Sequence, residues 1–243
     1  MSFVLIIGAK SDIAKALARE YAGHGFDLYL AGRNVIELTD FATDLYIRTQ
    51  RTVELLELDI LDFGSHSYFY EKLKTKPMVV IVAAGYLGDQ KKAESEFSEA
   101  KHIIDTNFTG IVSFLNIVAN DFEVRRSGYI IGISSVAGER GRKKNYTYGA
   151  AKAAMTTYLS GLRNRLHNAD VHVITVKPGF VNTQMTEGMD LPEKLTAQPG
   201  EVARDIYRAQ QKASDIVFTK GIWKYIMLII NSLPERIFKR MNI

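Results

Sequence analysis

Short runs rich in apolar residues recur along the chain, and stretches whose apolar residues fall three and four apart separate them. The runs are Phe3-Val4-Leu5-Ile6-Ile7, Leu28 to Ala31, Thr52 to Leu58, Met78 to Val82, Ile130 to Ile133, Val171 to Val176 and Asp215 to Thr219. Phe3 to Ile7 and Ile130 to Ile133, with no charged residue, predict buried strands, the first parallel and covered on both faces, and the other runs predict strands beside them. The intervening stretches predict helices: one carrying Ile13, Ala14, Leu17, Ala18 and Tyr21, then Ser65 to Leu73, a long one beginning near Ser98, Tyr146 to His167 and Gly200 to Lys212. Strands and helices in alternation make an α/β chain, doubly wound, with its ligands at the C-terminal ends of the strands. Residues 1–220 read as one domain and 221–243 as an apolar, basic helical extension.

Chemistry concentrates after the fifth run. Ser135 falls at the C-terminal end of the strand Ile130 to Ile133, and Tyr148 and Lys152 stand four apart, on one face of a helix. A tyrosine with a pKa of ~10 shuttles protons poorly at neutral pH. Shifting it to ~7 takes about 4 kcal/mol of preference for phenolate, which a lysine ammonium nearby can supply. A serine hydroxyl can hold a carbonyl oxygen against that tyrosine. Taken alone, Tyr-x-x-x-Lys is equally a core aromatic beside a solvated lysine; the spacing of thirteen to Ser135 favours chemistry.

Composition narrows the choice. With 243 residues, 47% of them hydrophobic, the chain can bury one large core. It has no cysteine, which excludes disulfides and thiolate chemistry and suits a reducing, cytoplasmic setting. The first run leads straight into a glycine turn, unlike a signal peptide. A net charge of +4, spread thinly, gives no nucleic-acid signature. The five histidines are scattered without metal-ligand spacing and read as surface or strand residues; no metal site is expected.

Ser-Ser-x-Ala-Gly-x-x-Gly from Ser134, followed by Tyr148-Gly149-Ala150-Ala151-Lys152-Ala153-Ala154, resembles the active-site segment of the short-chain dehydrogenase/reductase family, and the resemblance runs from Phe3 to about Thr219. It implies a single-domain Rossmann fold with a mostly parallel seven-stranded sheet and a nicotinamide dinucleotide. The family's glycine loop retains Gly8; Asp12 and Ala14 replace the second and third glycines, leaving Lys10, Ser11 and Ile13 nearest the phosphates, with Asp12 in the first helical turn and pointing away. Arg33 and Asn34 close the second strand where an NAD enzyme carries an acid, so NADP(H) is favoured over NAD(H). Asp59 and Ile60 fall to the adenine, Ala83, Ala84 and Gly85 to the cofactor wall, and Pro178, Gly179, Val181 and Thr183 to the nicotinamide carboxamide. Asn107 inherits a relay that fixes a water. Tyr148 becomes the general acid or base, Ser135 orients the carbonyl, and Lys152 tunes Tyr148 and grips the ribose.

The implied activity is hydride exchange between a ketone and a secondary alcohol. Within the family, Gly85-Tyr86-Leu87-Gly88-Asp89, Gly138-Glu139-Arg140 and Ile237-Phe238-Lys239 are similar to a reductase of a polyprenyl-phosphate-linked ketosugar. The alternatives are a soluble reductase of a small or acyl-chain ketone and a nonenzymatic NAD(P)-binding scaffold. The family pairs the helices beginning near Ser98 and Tyr146 across a homodimer or homotetramer interface, and Phe108, Ile111, Phe114, Leu115 and Val118 offer apolar surface for it. Gln184 to Gln198 reads as a mobile lid. In the tail, Ile222 to Ile230 is too short to span a bilayer. Ser232-Leu233-Pro234-Glu235 reads as a capping box opening a second helix with Leu233, Ile237, Phe238 and Met241 apolar and Arg236, Lys239 and Arg240 basic. That pair of helices either packs on the lid or a second subunit, or anchors at a membrane surface.

Overall fold

β-branched and leucine-rich runs suit a pleat covered on both faces, and each predicted run is a strand. The computed structural model describes residues 2–241. The first half holds β1 (Phe3–Ile7), α1 (Asp12–Gly23), β2 (Asp27–Gly32), α2 (Thr39–Thr49), β3 (Val53–Glu57), α3 (His66–Glu71) and β4 (Val79–Val82). Then come α4 (Gln90–Ser95), α5 (Phe97–Ile104), a π-helical turn (Asp105–Thr109), α6 (Gly110–Arg125), β5 (Gly128–Ile133), α7 (Tyr146–Leu166) and β6 (Val171–Lys177). Two short strands, β7 (Phe180–Val181) and β8 (Thr196–Ala197), precede α8 (Pro199–Gln211), β9 (Ile216–Phe218), α9 (Ile222–Ser232) and α10 (Glu235–Phe238).

Seven strands form one sheet in the order β3-β2-β1-β4-β5-β6-β9. Every pairing in it is parallel. The period of two sends Leu5 and Ile7 to the layer of α3, α6 and α7, and Val4 and Ile6 to the layer of α1 and α8. Chain order reverses between β1 and β4, where doubly wound sheets open their crevice. Register aligns that edge, with Ile7 beside Val82, Val82 beside Gly132, and Ile133 beside Val176.

Three expectations change. Ile111, Phe114, Leu115 and Val118 are fully buried inside this chain, packed on the sheet, and present no surface to a partner; Phe108 is only partly buried. The segment from Gln184 is pinned rather than loose, because β8 pairs with β7 and short helical turns form at Gln184–Thr186 and Glu193–Leu195. His66 is buried in α3, bonded to Ser113 Oγ at 3.0 Å, not at the surface.

The tail closes over the sheet's C-terminal edge. Trp223 and Met227 are buried against Val136, Phe180 and Leu195. The Trp223 indole lies flush on Gly179, where an added Cβ would come within 2.0 Å of the ring, and its Nε1 donates to the Leu195 carbonyl at 3.0 Å. Ser232 does not open a second helix: it is the last residue of α9 and its hydroxyl donates back to the Ile229 carbonyl. Pro234 takes the cap position instead, and α10 is a single turn. Arg140 clasps this corner, donating to the carbonyls of Ile230 and Leu233 and to Glu235, with its guanidinium 3.8 Å above the Phe238 ring. Trp223 is the chain's single tryptophan, so its emission reports this docking. Arg140→Ala leaves the Leu233 carbonyl without this donor and the Ile230 carbonyl with only the Leu233 amide, and removes a charge-assisted bond, a loss of about 1–3 kcal/mol. Its tryptophan red-shift in urea is expected to precede the loss of helical circular dichroism; coincident transitions in the variant would contradict that.

Candidate active site

A cavity of about 540 Å³ opens at the crevice, lined by ten of the residues expected at a dinucleotide: Gly8, Lys10, Ser11, Arg33, Asn34, Asp59, Ile60, Ala83, Ala84 and Gly85. Gly8 has φ +82°, and a Cβ there would lie 2.5 Å from the Ala84 nitrogen, so only glycine lets β1 turn this close to the end of β4. Thr106 also lines the cavity, its buried hydroxyl without a partner among the described residues. A crevice at the switch point, a glycine cradle and an unmatched hydroxyl fit a dinucleotide.

Local bonds shape this wall. Ser11 caps α1, its Oγ accepting from the Ala14 amide at 3.2 Å, so the loop's amides face the cavity at the positive end of the helix. Asp12 turns outward, as its sequence position suggests, and accepts from the Gln184 amide at 2.8 Å. Ile13 instead packs its side chain towards the α1 core and is absent from the cavity wall. Arg33 is exposed and pairs with no described residue, whereas Lys10 is paired with Glu37 at 2.7 Å. Asp59 lines the cavity while capping its own turn, its Oδ1 accepting from the Leu61 amide at 3.0 Å.

The catalytic candidates meet beyond Gly85. Ser134 anchors α7 to the end of β5: its hydroxyl donates to the Lys152 carbonyl at 2.9 Å and lies 2.7 Å from Thr156 Oγ1. That brings Tyr148 to Ser135, whose Oγ also accepts from the Ala137 amide at 3.1 Å. Lys152 is buried, donates from Nζ to the Ile133 carbonyl at 3.0 Å, and stands 5.6 Å from the Tyr148 ring centre. A Cβ on Gly85 would meet Asn107 Oδ1 at 3.2 Å and Lys152 Nζ at 3.5 Å, so the four candidates and the cavity wall converge.

Two findings alter the expected chemistry. Burial pushes the Tyr148 phenol up to about 12, against a smaller pull downwards from its bond with Ser135. The same burial pulls Lys152 down to about 8, so in the protein alone the lysine does not bring the tyrosine towards neutrality. The side chain of Asn107 is committed elsewhere: Nδ2 donates to the carbonyls of Tyr86 and Ile103, at 2.6 and 2.8 Å, and Oδ1 accepts from the Tyr86 amide at 3.3 Å. Set in the π-helical turn, it clamps the Gly85–Tyr86 backbone beside Lys152.

Pro178 and Gly179 follow β6 beneath Trp223, Val181 is buried, and Thr183 caps the turn that Asp12 braces. None of these four lines the 540 Å³ cavity. Thr183 borders a larger groove of about 960 Å³ between α1 and α8, lined by Asp12, Lys15, Arg19, Glu20 and Arg204 and holding none of the catalytic candidates. Sequence reasoning missed Glu57, which shapes the Arg33 turn by accepting from the amides of Asn34 and Val35 at 2.7 and 3.2 Å. Its signal was an acid at the C-terminal end of a strand. It also missed Gln90, whose Oε1 accepts from the Thr147 amide at 2.9 Å, and Trp223 over Gly179; no local pattern marks either.

The lowered pKa of Lys152 carries a stability signature. Its folded value, about 8, lies below the ordinary 10.5, so between those pH values the unfolded chain binds the extra proton and stability rises with pH. Relative to Lys152→Met, the wild type is expected to gain about 3 kcal/mol between pH 7.5 and 10.5. Urea unfolding of both proteins at each pH measures it, and parallel pH dependences would refute the buried ammonium.

The family model described as short chain dehydrogenase matches residues 2–194. An uncharacterized oxidoreductase of Mycobacterium tuberculosis is 34% identical over 241 residues, covering 98% of this chain and 96% of the relative. Among solved structures, a short-chain dehydrogenase from Sphingobium yanoikuyae in complex with NADPH superposes with a TM-score of 0.83 at 22% identity, covering 97% of each chain. A 3-oxoacyl-[acyl-carrier protein] reductase from Brucella melitensis with bound NAD gives 0.78 at 20% identity, covering 89% of this chain and 88% of that one. With its crevice, its Ser135–Tyr148–Lys152 cluster and these relatives, the chain is an oxidoreductase belonging to the short-chain dehydrogenase family.

Proposed function

We propose that the protein interconverts a ketone and a secondary alcohol with NADP(H). The convergence of Ser135, Tyr148 and Lys152 at the mouth of the crevice carries the reading. A bound NADPH supplies the hydride. Ser135 donates to the carbonyl oxygen and sets the carbonyl beside Tyr148. As charge grows on that oxygen, Tyr148 gives up its phenolic proton: an alkoxide is a stronger base than a phenolate whose acid has a pKa of about 12. Lys152, with its pKa near 8, can return a proton to the phenolate at neutral pH. Arg33 supports the phosphorylated nicotinamide, because its guanidinium is unpaired among the described residues and Glu57, the nearest strand-end acid, is occupied by backbone amides.

The finer reading is a substrate like that of decaprenylphosphoryl-2-keto-ribose reductase, a ketosugar on a polyprenyl phosphate. Beside the sequence likeness, the tail supports it. α9 exposes Ile222, Tyr225, Leu228 and Ile229, each at least 50% accessible, on the side away from Trp223 and Met227. Lys224, Arg236, Lys239 and Arg240 are exposed around them. No helix among the described residues is long and apolar enough to cross a membrane. An apolar stripe edged by cations suits the headgroup boundary of anionic lipid, where such a substrate resides.

A turnover screen with both nicotinamides over ketones, polyprenyl-phosphate ketosugars included, tests the reading. Tyr148→Phe is expected to lose at least a hundredfold in turnover, in line with general acid catalysis, and a near-normal rate would dismiss the proposed role. Arg33→Ala should bind NADPH roughly ten- to hundredfold more weakly and NADH unchanged; equal wild-type affinities for the two would remove the argument from Arg33. In flotation on anionic vesicles at low salt, wild type is expected to rise and the double variant Leu228→Ser, Ile229→Ser to stay below. Wild type left in the soluble fraction would end the membrane reading.

A further inference from the structure

Arg142 lies in the loop between the Ser135 turn and α7. Two residues earlier, Arg140 is matched by two carbonyls, a carboxylate and a ring. Arg142 is not matched. Its Nη2 reaches only the Met227 sulfur at 3.3 Å, a weak acceptor, and its buried Nε has no acceptor among the described residues. Burial also lowers its pKa, as for a cation withheld from water without a counter-ion. The Met227 contact locates the guanidinium at the roof cluster of Val136, Trp223 and Met227, directly after Ser135 and over Gly179. The neighbouring cation Lys177 is already neutralised by Glu139 at 2.6 Å.

Gln90 gives a second, independent observation. Its Oε1 is held by the Thr147 amide, next to Tyr148, while its buried Nε2 has no acceptor among the described residues. Arg142 stands four residues before α7 and Gln90 is bonded to the second residue of that helix, and each carries a buried donor without an acceptor among the described residues. Native proteins satisfy nearly all such groups, and donors left over at a cleft complement acceptors on a ligand. A planar guanidinium suits a two-oxygen acceptor above all.

We propose that Arg142 binds an oxyanion carried by the ketone substrate, a phosphate ester in the reading above, with Gln90 donating to an adjacent oxygen. The inference rests on the reductase reading, because the oxyanion sits on the molecule whose carbonyl meets Ser135 and Tyr148. Selectivity for a phosphorylated ketone over its neutral counterpart then resides in Arg142.

The test is equilibrium binding of farnesyl phosphate and of farnesol to the full chain saturated with NADP+, for wild type, Arg142→Lys and Arg142→Gln. Wild type is expected to prefer the phosphate by roughly ten- to hundredfold. Arg142→Gln should lose that preference and Arg142→Lys keep part of it, while NADP+ affinity, the check on folding, stays constant across the three. Wild type that does not distinguish the two probes, including by binding neither, overturns the proposal, as does Arg142→Gln with its preference intact. Ketone turnover alongside such a result removes this inference alone. Absence of turnover on every ketone removes the reductase reading beneath it.

Discussion

Everything at the site depends on how closely the chain passes itself where β1 ends. Ile7 and Val82 are register partners on adjacent strands, yet the chain leaves them towards opposite faces of the sheet. The crevice this opens is narrow because Gly8 lies against the backbone of Ala83 and Ala84. A side chain at that point would have to push β4 away from β1, and with it the Gly85 backbone that Asn107 holds beside Lys152. The cofactor cavity and the proton-handling residues are therefore two ends of one rigid contact, braced from behind by the parallel register of β4, β5 and β6.

Burial of Lys152 and Tyr148 together decides the electrostatics. A charged lysine and a charged phenolate each lose hydration at this depth, so the protein alone holds the phenol protonated and brings the lysine pKa down to about 8. Such a pair can give a proton and regain one, which suits a group that shuttles protons in either direction of a reversible reaction.

Much of this was legible in the sequence for a simple reason: strands buried on both faces have no polar alternation, and each run from Phe3 to Val176 is a strand of the sheet, with the half-exposed edge strand β3 alone carrying glutamates. The site residues were legible where chemistry and chain position coincide, at Ser135, Tyr148, Lys152 and Gly8. What stayed hidden arises from pairings distant in sequence. Trp223 meets Gly179, Arg140 meets Glu235, and Gln90 meets Thr147, and no periodicity encodes such contacts. The buried side chains of α6 misled for the opposite reason: α3 and α7 pack around that helix, so apolar residues beyond those facing the sheet find partners within the same chain. At Ser232 the capping pattern was present, but the α9 helix continued through it because a proline two residues later ends a helix as readily as it begins one.

Asp12 stands where the family's loop carries a glycine, and its carboxylate holds the Gln184 amide at the start of the segment that β7 and β8 pin. One side chain thus belongs to two structures that are independent when a glycine occupies the position. A glycine at 12 would free the loop after β1 and leave the residue 184 amide without this acceptor, so the order of the two segments is tied together by one side chain. Because the donor is the backbone amide, any residue but proline at 184 keeps the bond, so the coupling of the two segments rests on the side chain at position 12 alone.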